Sequence, residues 1–165
     1  MSNAKKISLE HPFMERQVIL NLAHGVVETL KMMADIDAEF EKPFTATNWV
    51  SPTDVSVYLS LNSGGHKGRL QFHFNKNVAK TIIEKMTGSE VESDSDEILD
   101  GVGEISNIFY GAAKAKLNLL GFNLAMSIPK PCWSRNLPRL TSDVTCMLIP
   151  FKVLQELCYV EIVLY

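Results

Sequence analysis

Residues 95–120, which read SDEILDGVGEISNIFYGAAKAKLNLL, carry the clearest pattern in the chain. Apolar side chains recur there at spacings of three, four or multiples of these, which is typical of the buried side of a helix. They are Ile98, Val102, Ile105, Phe109, Ala112 and Leu120. The opposite side, called the outer stripe below, consists of Asp100, Glu104, Asn107, Gly111, Lys114 and Asn118. We therefore predict a long amphipathic helix around which the rest of the chain is arranged.

Two polar side chains of the outer stripe, Glu104 and Asn107, are three residues apart and so project from the helix together. Gly111 follows one turn later on the same stripe. A glycine inside a helix costs about 1 kcal/mol relative to alanine, and it removes side-chain bulk beside the polar pair. Such a surface suits the close approach of another macromolecule. Packing of Gly111 against a neighbouring helix of the same chain explains the glycine equally well.

The composition is that of an ordinary globular protein. With 165 residues, 46% of them apolar and 21% charged, the chain fits a single domain over residues 1–165. A net charge of -3 argues weakly against a nucleic-acid partner, which would favour a basic excess. No apolar run is long enough to span a membrane, and the polar start MSNAKKISLEHPF lacks the apolar core of a signal peptide. We expect a cytoplasmic protein.

Neither the cysteine nor the histidine spacing indicates a metal site. Cys132, Cys146 and Cys158 form no CxxC pair, and the last two fall in strand-like segments, where we expect them to pack as small apolar side chains. The four histidines show no pairing typical of zinc. We expect the protein to hold no metal or other cofactor of its own.

The first half of the chain, about residues 12–88, is predicted to begin with a helix from about Phe13 to Asp35. Its buried stripe is Ile19, Leu22, Ala23, Val26, Leu30 and Met33. An extended segment over 40–50 follows, interrupted by Pro43, which suits a sheet edge or a bend.

Two strands are predicted next, at 54–61 and 68–74, because apolar and polar residues alternate there as in a sheet with one wet face. Gly64 and Gly65 between them suit a hairpin turn, since glycine adopts positive φ freely. A phosphate loop is disfavoured at this pair because no GK[ST] follows. A short helix is then predicted to end at Gly88.

The second half, about residues 95–165, repeats this order. The central helix is followed by a predicted strand over Phe122–Ile128, which ends at Pro129, and by strands at about Ser142–Ile149 and Leu157–Tyr165. The outer faces of the two long helices also match, with Asn21 at the place of Glu104 and His24 at the place of Asn107. The order therefore indicates a duplicated unit, of which only the second copy carries an ExxN pair.

The second long helix resembles the CheC/CheX family of chemotaxis phosphatases, and the CheX branch in particular. The family signature is Asp or Ser, then Glu four residues later, Asn three residues after that, and a proline further along. DGVGEISN at residues 100–107 fits its first part, and Pro129 stands one residue short of the usual CheC spacing. CheC proteins carry the pair in both halves, whereas CheX-like proteins carry it once. The HPF–helix–KPF opening and the FNLAMSIP segment also resemble CheX, so that the resemblance extends over nearly the whole chain.

The resemblance implies an α+β fold of two pseudo-symmetric halves, each a long helix with about three mainly antiparallel strands, which share one sheet with the helices packed on it. It implies that the protein dephosphorylates the phospho-aspartate of a CheY-like response regulator, which holds the divalent metal, Mg²⁺, in its own site. Asn107 would position the attacking water. Glu104 would pair with the active-site lysine of the regulator.

Four further residues, Asp100, Gly111, Lys114 and Pro129, are implied as contacts with the regulator. Plainer explanations exist for three of them. Asp100 is also favoured near a helix start by the macrodipole, Lys114 is also an ordinary solvated lysine, and Pro129 suits the end of a strand. Trp133 suits either the core or an interface.

Two non-catalytic functions remain open on the sequence alone. The fold resembles the middle domain of the flagellar switch protein FliM, which is not a phosphatase, and an adaptor role in a signalling operon is the other possibility. CheX-like proteins are dimeric, and the last strand, Leu157–Tyr165, has an apolar face and a possible free edge, which is usually paired or covered. We therefore expect a homodimer.

Overall fold

The computed structural model describes residues 11–125, 127–140 and 143–164. Within them lie three α-helices: α1 (Arg16–Ala34), α2 (Lys76–Thr87) and α3 (Asp96–Leu119). The strands are β1 (Ala38–Phe40), β2 (Phe44–Thr47), β3 (Val55–Ser63), β4 (His66–Phe74), β5 (Lys130–Trp133), β6 (Thr145–Val153) and β7 (Glu156–Leu164). Ser142 and Tyr165, which the sequence places at the ends of the last two strands, lie outside the described residues. No helix in the described part of the chain is long and apolar enough to cross a membrane.

All strands join one antiparallel sheet, in the order β1-β6-β7-β4-β3-β5, with β2 also paired to β6. The hairpins β3–β4 and β6–β7 meet at its centre, where Leu70 of β4 lies opposite Ile162 of β7. The α+β class with two similar halves on a shared sheet is confirmed.

The two halves exchange their outer strands. β2 of the first half pairs with β6 of the second, and β5 of the second half pairs with β3 of the first. This is the reciprocal exchange that a duplicated unit makes when its copies share one sheet. Because each half completes the sheet of the other, neither half contains all the strand partners that its own hairpin needs.

The helices cover one face of the sheet, and α1 and α3 pack against each other at Gly25. A Cβ atom built on Gly25 would lie 3.4 Å from the carbonyl oxygen of Phe109 and 3.7 Å from the Cβ of Ala113. This contact corrects the predicted stripe of α3: Ala113 and Leu117 are buried, whereas Leu120 is 55% exposed and Ala112 is only partly buried. The buried side follows Ala113 because that residue faces the second helix.

The first helix begins later than predicted and ends as predicted. Residues Pro12–Met14 form a 3-10 turn that buries Phe13, and α1 starts at Arg16. Asp35 ends the helix with a left-handed φ of 50°. Met33, which the pattern placed in the core, is 40% exposed, and Ala34 is buried there instead.

The predicted hairpin turn is confirmed, with Gly64 at φ 55° and Gly65 at φ 84° between β3 and β4. The prediction that these strands have one wet face is wrong. The second face is covered by residues 48–53 and 134–140, among which Trp49 and Leu140 pack against buried apolar side chains of β6 and β7. Polar residues of β4 on that face, such as His73, are therefore buried as well.

The strand predicted over Phe122–Ile128 is wrong, because residues 122–125 and 127–128 form no strand. Residues 122–125 are irregular and are held by side chains of α3: Asn118 Oδ1 accepts a hydrogen bond from the Leu124 N–H, and the Tyr110 hydroxyl donates to the Ala125 carbonyl, each over 2.7–2.8 Å. Pro129 thus comes just before a strand, β5, rather than ending one. Its missing N–H and fixed φ suit either position, so the sequence could not separate them.

The free edge predicted for the last strand is also wrong. β7 pairs with β6 on one side and with β4 on the other, because the two hairpins meet along β4 and β7. Short strands lie at the sheet edges instead, β5 at one edge and β1 with β2 at the other.

Candidate functional site

Glu104 and Asn107 are exposed on the outer stripe of α3. Neither side chain forms a hydrogen bond or an ion pair with the part of the chain that the structure describes. One carboxylate and one carboxamide are thus presented together, a turn apart, with their hydrogen-bonding groups available to a second molecule.

Gly111 lies on the same stripe in open space. No heavy atom of the described chain lies within 4 Å of the place where its Cβ would be. This observation removes packing against a neighbouring helix as the explanation for Gly111, and it contrasts with Gly25, whose Cβ position touches α3. The surface beside Asn107 is consequently low and unobstructed.

The rotation of α3 is set by two glycines that precede Glu104. A Cβ on Gly101 would collide with the side chain of Ile83 in α2, and a Cβ on Gly103 would lie 3.3 Å from Cγ of Pro131 in β5. Both neighbours thus approach the α3 backbone closely. This close packing on its flanks directs the outer stripe away from the rest of the fold.

Sequence reasoning missed Gly101, Gly103 and Pro131 as residues that position the site. The available signal was the occurrence of two glycines, six and four residues before Asn107, inside an otherwise strong helix. Each glycine costs about 1 kcal/mol relative to alanine. Such a cost is offset when a neighbouring element packs against the exposed backbone.

The other predicted contact residues, Asp100, Lys114 and Pro129, differ in how exposed they are. Asp100 is exposed and is the fifth residue of α3, beyond the first turn in which Asp96 and Glu97 lie. The macrodipole acts mainly on that first turn, so it accounts poorly for Asp100. Lys114 is partly buried on the stripe, and Pro129 is partly buried just before β5.

The cysteines are poorly suited to nucleophilic chemistry. Burial raises the pKa of the Cys158 thiol to about 12 and also raises the pKa of Cys146. Burial raises the pKa of Cys132 as well, although Arg69 opposes that shift. All three thiols are protonated near neutral pH, as expected for small apolar side chains. Among the described residues, no three His, Cys, Asp or Glu side chains are grouped so that they could hold a metal ion.

Comparison with known proteins places this geometry in a family context. The family model described as "Chemotaxis phosphatase CheX" matches residues 56–152, more than half of the chain. The CheY-P phosphatase CheX of Thermotoga maritima is 25% identical over 144 residues, which are 87% of this chain and 92% of that protein.

Two solved structures show the same fold. A CheC-like superfamily protein from Shewanella sp. PV-4 matches with a TM-score of 0.81 and 27% identity, over 92% of this chain and 99% of its own. A chain of the CheX–CheY–BeF3–Mg²⁺ complex from Borrelia burgdorferi matches with a TM-score of 0.69 and 20% identity, over 88% of this chain and 96% of its own. The latter identity supports a common fold alone.

Proposed function

The chain belongs to the CheX family of chemotaxis phosphatases, and from this membership we propose that it dephosphorylates the phospho-aspartate of a CheY-like response regulator. The observation that carries the proposal is the exposed pair Glu104 and Asn107, which has no partner within the described chain. The Thermotoga maritima relative is named a CheY-P phosphatase, and the Borrelia burgdorferi complex joins CheX to CheY. Both names agree with the proposal.

A phospho-aspartate is an acyl phosphate, and its hydrolysis needs little from a second protein beyond positioning. The oxygen of a water molecule bonds to phosphorus while the bond from phosphorus to the aspartate oxygen breaks. The products are inorganic phosphate and the free aspartate carboxylate, and the protons of the water pass to phosphate and solvent. Mg²⁺, which we assign to the regulator, neutralises the phosphoryl charge. Orientation of the water is then the main remaining contribution.

Asn107 is suited to hold that water. Its carboxamide is neutral, accepts hydrogen bonds at Oδ1 and donates them at Nδ2. A neutral group avoids the repulsion that a carboxylate would meet beside a phosphoryl group. Because the side chain is exposed on an uncovered face of α3, it can enter the phosphorylated pocket of a docked regulator.

Glu104 is suited to fix the docked position. Its carboxylate projects one turn before Asn107, where it would pair with the ammonium group of the active-site lysine of the regulator. An ion pair enclosed by an interface sets register and orientation more than affinity. In this role Glu104 does not remove a proton from the water.

Four neighbours would complete the contact. Gly111 leaves room for the surface of the regulator, and Asp100 extends the polar stripe by one turn before Glu104. Lys114 would contact the regulator beyond Gly111. Pro129 would form part of the rim, just before the strand that packs beside Gly103.

The test is phosphate release from an acyl-phosphorylated response regulator of the same organism. The wild-type protein should accelerate the release, and Asn107→Ala should slow it by about 100-fold while binding is retained. The matched control is Asn21→Ala, which removes a carboxamide from the outer face of α1 and should leave the rate unchanged. Binding of the phosphorylated regulator by wild type without faster release would favour the alternative, a non-catalytic binding or adaptor module.

We also propose that the protein is a homodimer, as the resemblance to CheX-like proteins implies. Because β7 is central in the sheet, the dimer cannot form along its edge and must use another surface. Light scattering at micromolar concentration should give about twice the chain mass of 18.5 kDa. A mass equal to one chain would overturn this proposal.

A further inference from the structure

A cleft of about 380 Å³ lies on the face of the sheet opposite α1 and α3. One wall is formed by residues 48–51, after β2, and the other by residues 134–140, after β5. Strands β4, β6 and β7 form the floor. The sheet separates this cleft from α3, so it is distinct from the surface that carries Glu104 and Asn107.

The floor of the cleft belongs to a chain of hydrogen-bonded polar side chains, most of which are buried. Glu161 is 5% exposed; it accepts a hydrogen bond of 2.6 Å from Nε2 of Gln71 and lies 2.9 Å from Nε2 of His73. Nδ1 of His73 lies 2.8 Å from the Ser56 hydroxyl, which lies 2.8 Å from the Ser134 hydroxyl. Burial of these groups is costly unless every one is paired. Apolar residues would cover a purely structural face at less cost.

The charge of the cleft is positive in a chain whose net charge is -3. Arg69 is held in place by two hydrogen bonds to Oε1 of Gln71, of 3.0 and 2.6 Å, and by one to the Pro138 carbonyl. Arg135 and Arg139 also line the cleft, are exposed, and have no hydrogen-bond or ion-pair partner in the described chain.

These three arginines face a single lining carboxylate among the described residues, that of Glu161. Three arginines against one carboxylate leave a local excess of two positive charges among these four residues. Because the carboxylate already accepts hydrogen bonds from its neighbours, the guanidinium groups at the mouth remain available to an anion.

One wall of the cleft contains an aromatic side chain, Trp49. The ring of Trp49 lies 5.4 Å from the His73 ring and 5.1 Å from the Tyr159 ring, which fix its orientation. Leu137, Leu140 and Val144 add apolar lining. The volume lies at the lower end of the range for small-molecule sites, roughly 300–1,000 Å³.

We propose that this cleft binds a small organic anion, composed of a flat aromatic ring and one carboxylate or phosphate group. The ring lies against Trp49 and the apolar lining. The anionic group binds Arg135 and Arg139. This ligand is separate from the regulator, and the proposal does not depend on phosphatase activity.

Tryptophan fluorescence provides the direct test. The chain contains two tryptophans, Trp49 and Trp133, and only Trp49 lines the cleft. The full-length Trp133→Phe protein is titrated with phenyl phosphate, benzoate, neutral benzamide and inorganic phosphate. Phenyl phosphate, benzoate or both should change the Trp49 emission saturably, and should bind at least about tenfold more tightly than benzamide or inorganic phosphate. The first two probes distinguish a phosphate ligand from a carboxylate ligand.

Variants of the cleft mouth separate binding from fold. Arg135→Ala and Arg139→Ala should each raise the dissociation constant of the probe by about tenfold. Neither substitution should change the melting temperature, because neither arginine has a partner within the described chain. Lys152→Ala, which removes an exposed cation from β6 outside the cleft, should bind as wild type does. Asn107→Ala should also bind normally.

Two results would overturn the proposal. One is the absence of a saturable change with phenyl phosphate and benzoate up to about 10 mM. The other is binding that is equally strong for benzamide or unaffected by both arginine substitutions. In either case the polar floor would serve only the packing of the second sheet face.

Discussion

The outer faces of α1 and α3 use their polar side chains in different ways. On α1, Nδ2 of Asn21 donates a 2.8 Å hydrogen bond to the Gln17 carbonyl, and Glu28 forms a 2.7 Å ion pair with Lys116 of α3. On α3, Glu104 and Asn107 have no such partner in the described chain. Asn21 and Glu28 of α1 thus have partners within the fold, whereas Glu104 and Asn107 of α3 have none in the described chain.

The two helices also differ in the bulk they present. By the register that aligns Asn21 with Glu104, Glu28 stands where α3 has Gly111. The side chain at position 28 is tied to Lys116, while the space around Gly111 is open. Two faces with similar polarity in sequence therefore differ in whether a partner can approach the backbone.

The strongest test of this comparison moves the pair to the other helix. Asn21→Glu with His24→Asn would place ExxN on α1, in a chain that also carries Asn107→Ala. We expect phosphate release to stay about 100-fold below wild type, because Glu28 and its ion pair occupy the position that Gly111 leaves open. Restored release in the same assay would show that α1 is a second, latent site and would break the comparison.

Leucine at the two glycines should have opposite effects on stability. Gly25→Leu should lower the free energy of unfolding by about 1–3 kcal/mol, because the side chain would overlap the backbone of α3. Gly111→Leu should raise it by about 0.5–1 kcal/mol through helix propensity, and should nevertheless reduce phosphatase activity by obstructing the regulator. Denaturant unfolding of both variants measures the difference, and effects of the same sign would contradict it.

Glu104→Gln should raise KM for the phosphorylated regulator by about tenfold, or about 1.4 kcal/mol, with little change in kcat. The substitution keeps the shape of the side chain and removes only its charge. Initial rates at low and high salt provide the measurement: KM of the wild type should rise with salt, whereas KM of the variant should depend on salt less. An unchanged KM would show that Glu104 does not contact a cation of the regulator.

The smallest effect is expected for Glu28→Gln on α1. The ion pair with Lys116 is largely exposed, with side-chain exposures of 60% for Glu28 and 41% for Lys116. Its loss should lower the free energy of unfolding by less than about 1 kcal/mol and leave KM unchanged, which makes it the matched control for Glu104→Gln. A rise in KM for this variant would extend the docking surface onto α1.

Local sequence patterns predicted where turns and helices lie better than they predicted which segments pair with each other. The hairpin at Gly64 and Gly65 and the end of α2 at Gly88 were predicted correctly because positive φ is a property of single residues. The strand before Pro129 was predicted wrongly, since residues 122–125 make most of their hydrogen bonds to α3. They make a single backbone hydrogen bond to β3, from Ala125 to Asn62, rather than a ladder of them. Nothing in a single strand reports which segment will pair with it.

The sequence predicted that Glu104 and Asn107 are exposed. It could not predict that their side chains have no hydrogen-bond or ion-pair partner in the described chain. Period and polarity placed Glu104 and Asn107 on a wet face of a helix, and the structure confirms that exposure. They did the same for Asn21 and Glu28, whose hydrogen bonds and ion pair only the structure shows.

The sequence by itself determined the two long amphipathic helices, the hairpins and the doubled order of the chain, because these depend on the residues within each segment. Tertiary structure alone decided the exchange of β2 and β5, the covered second face with its cleft, and the open space around Gly111. These features depend on contacts between residues far apart in the chain. Periodicity indicates which side of a segment faces water. Only the packed fold decides which residues contact each side chain.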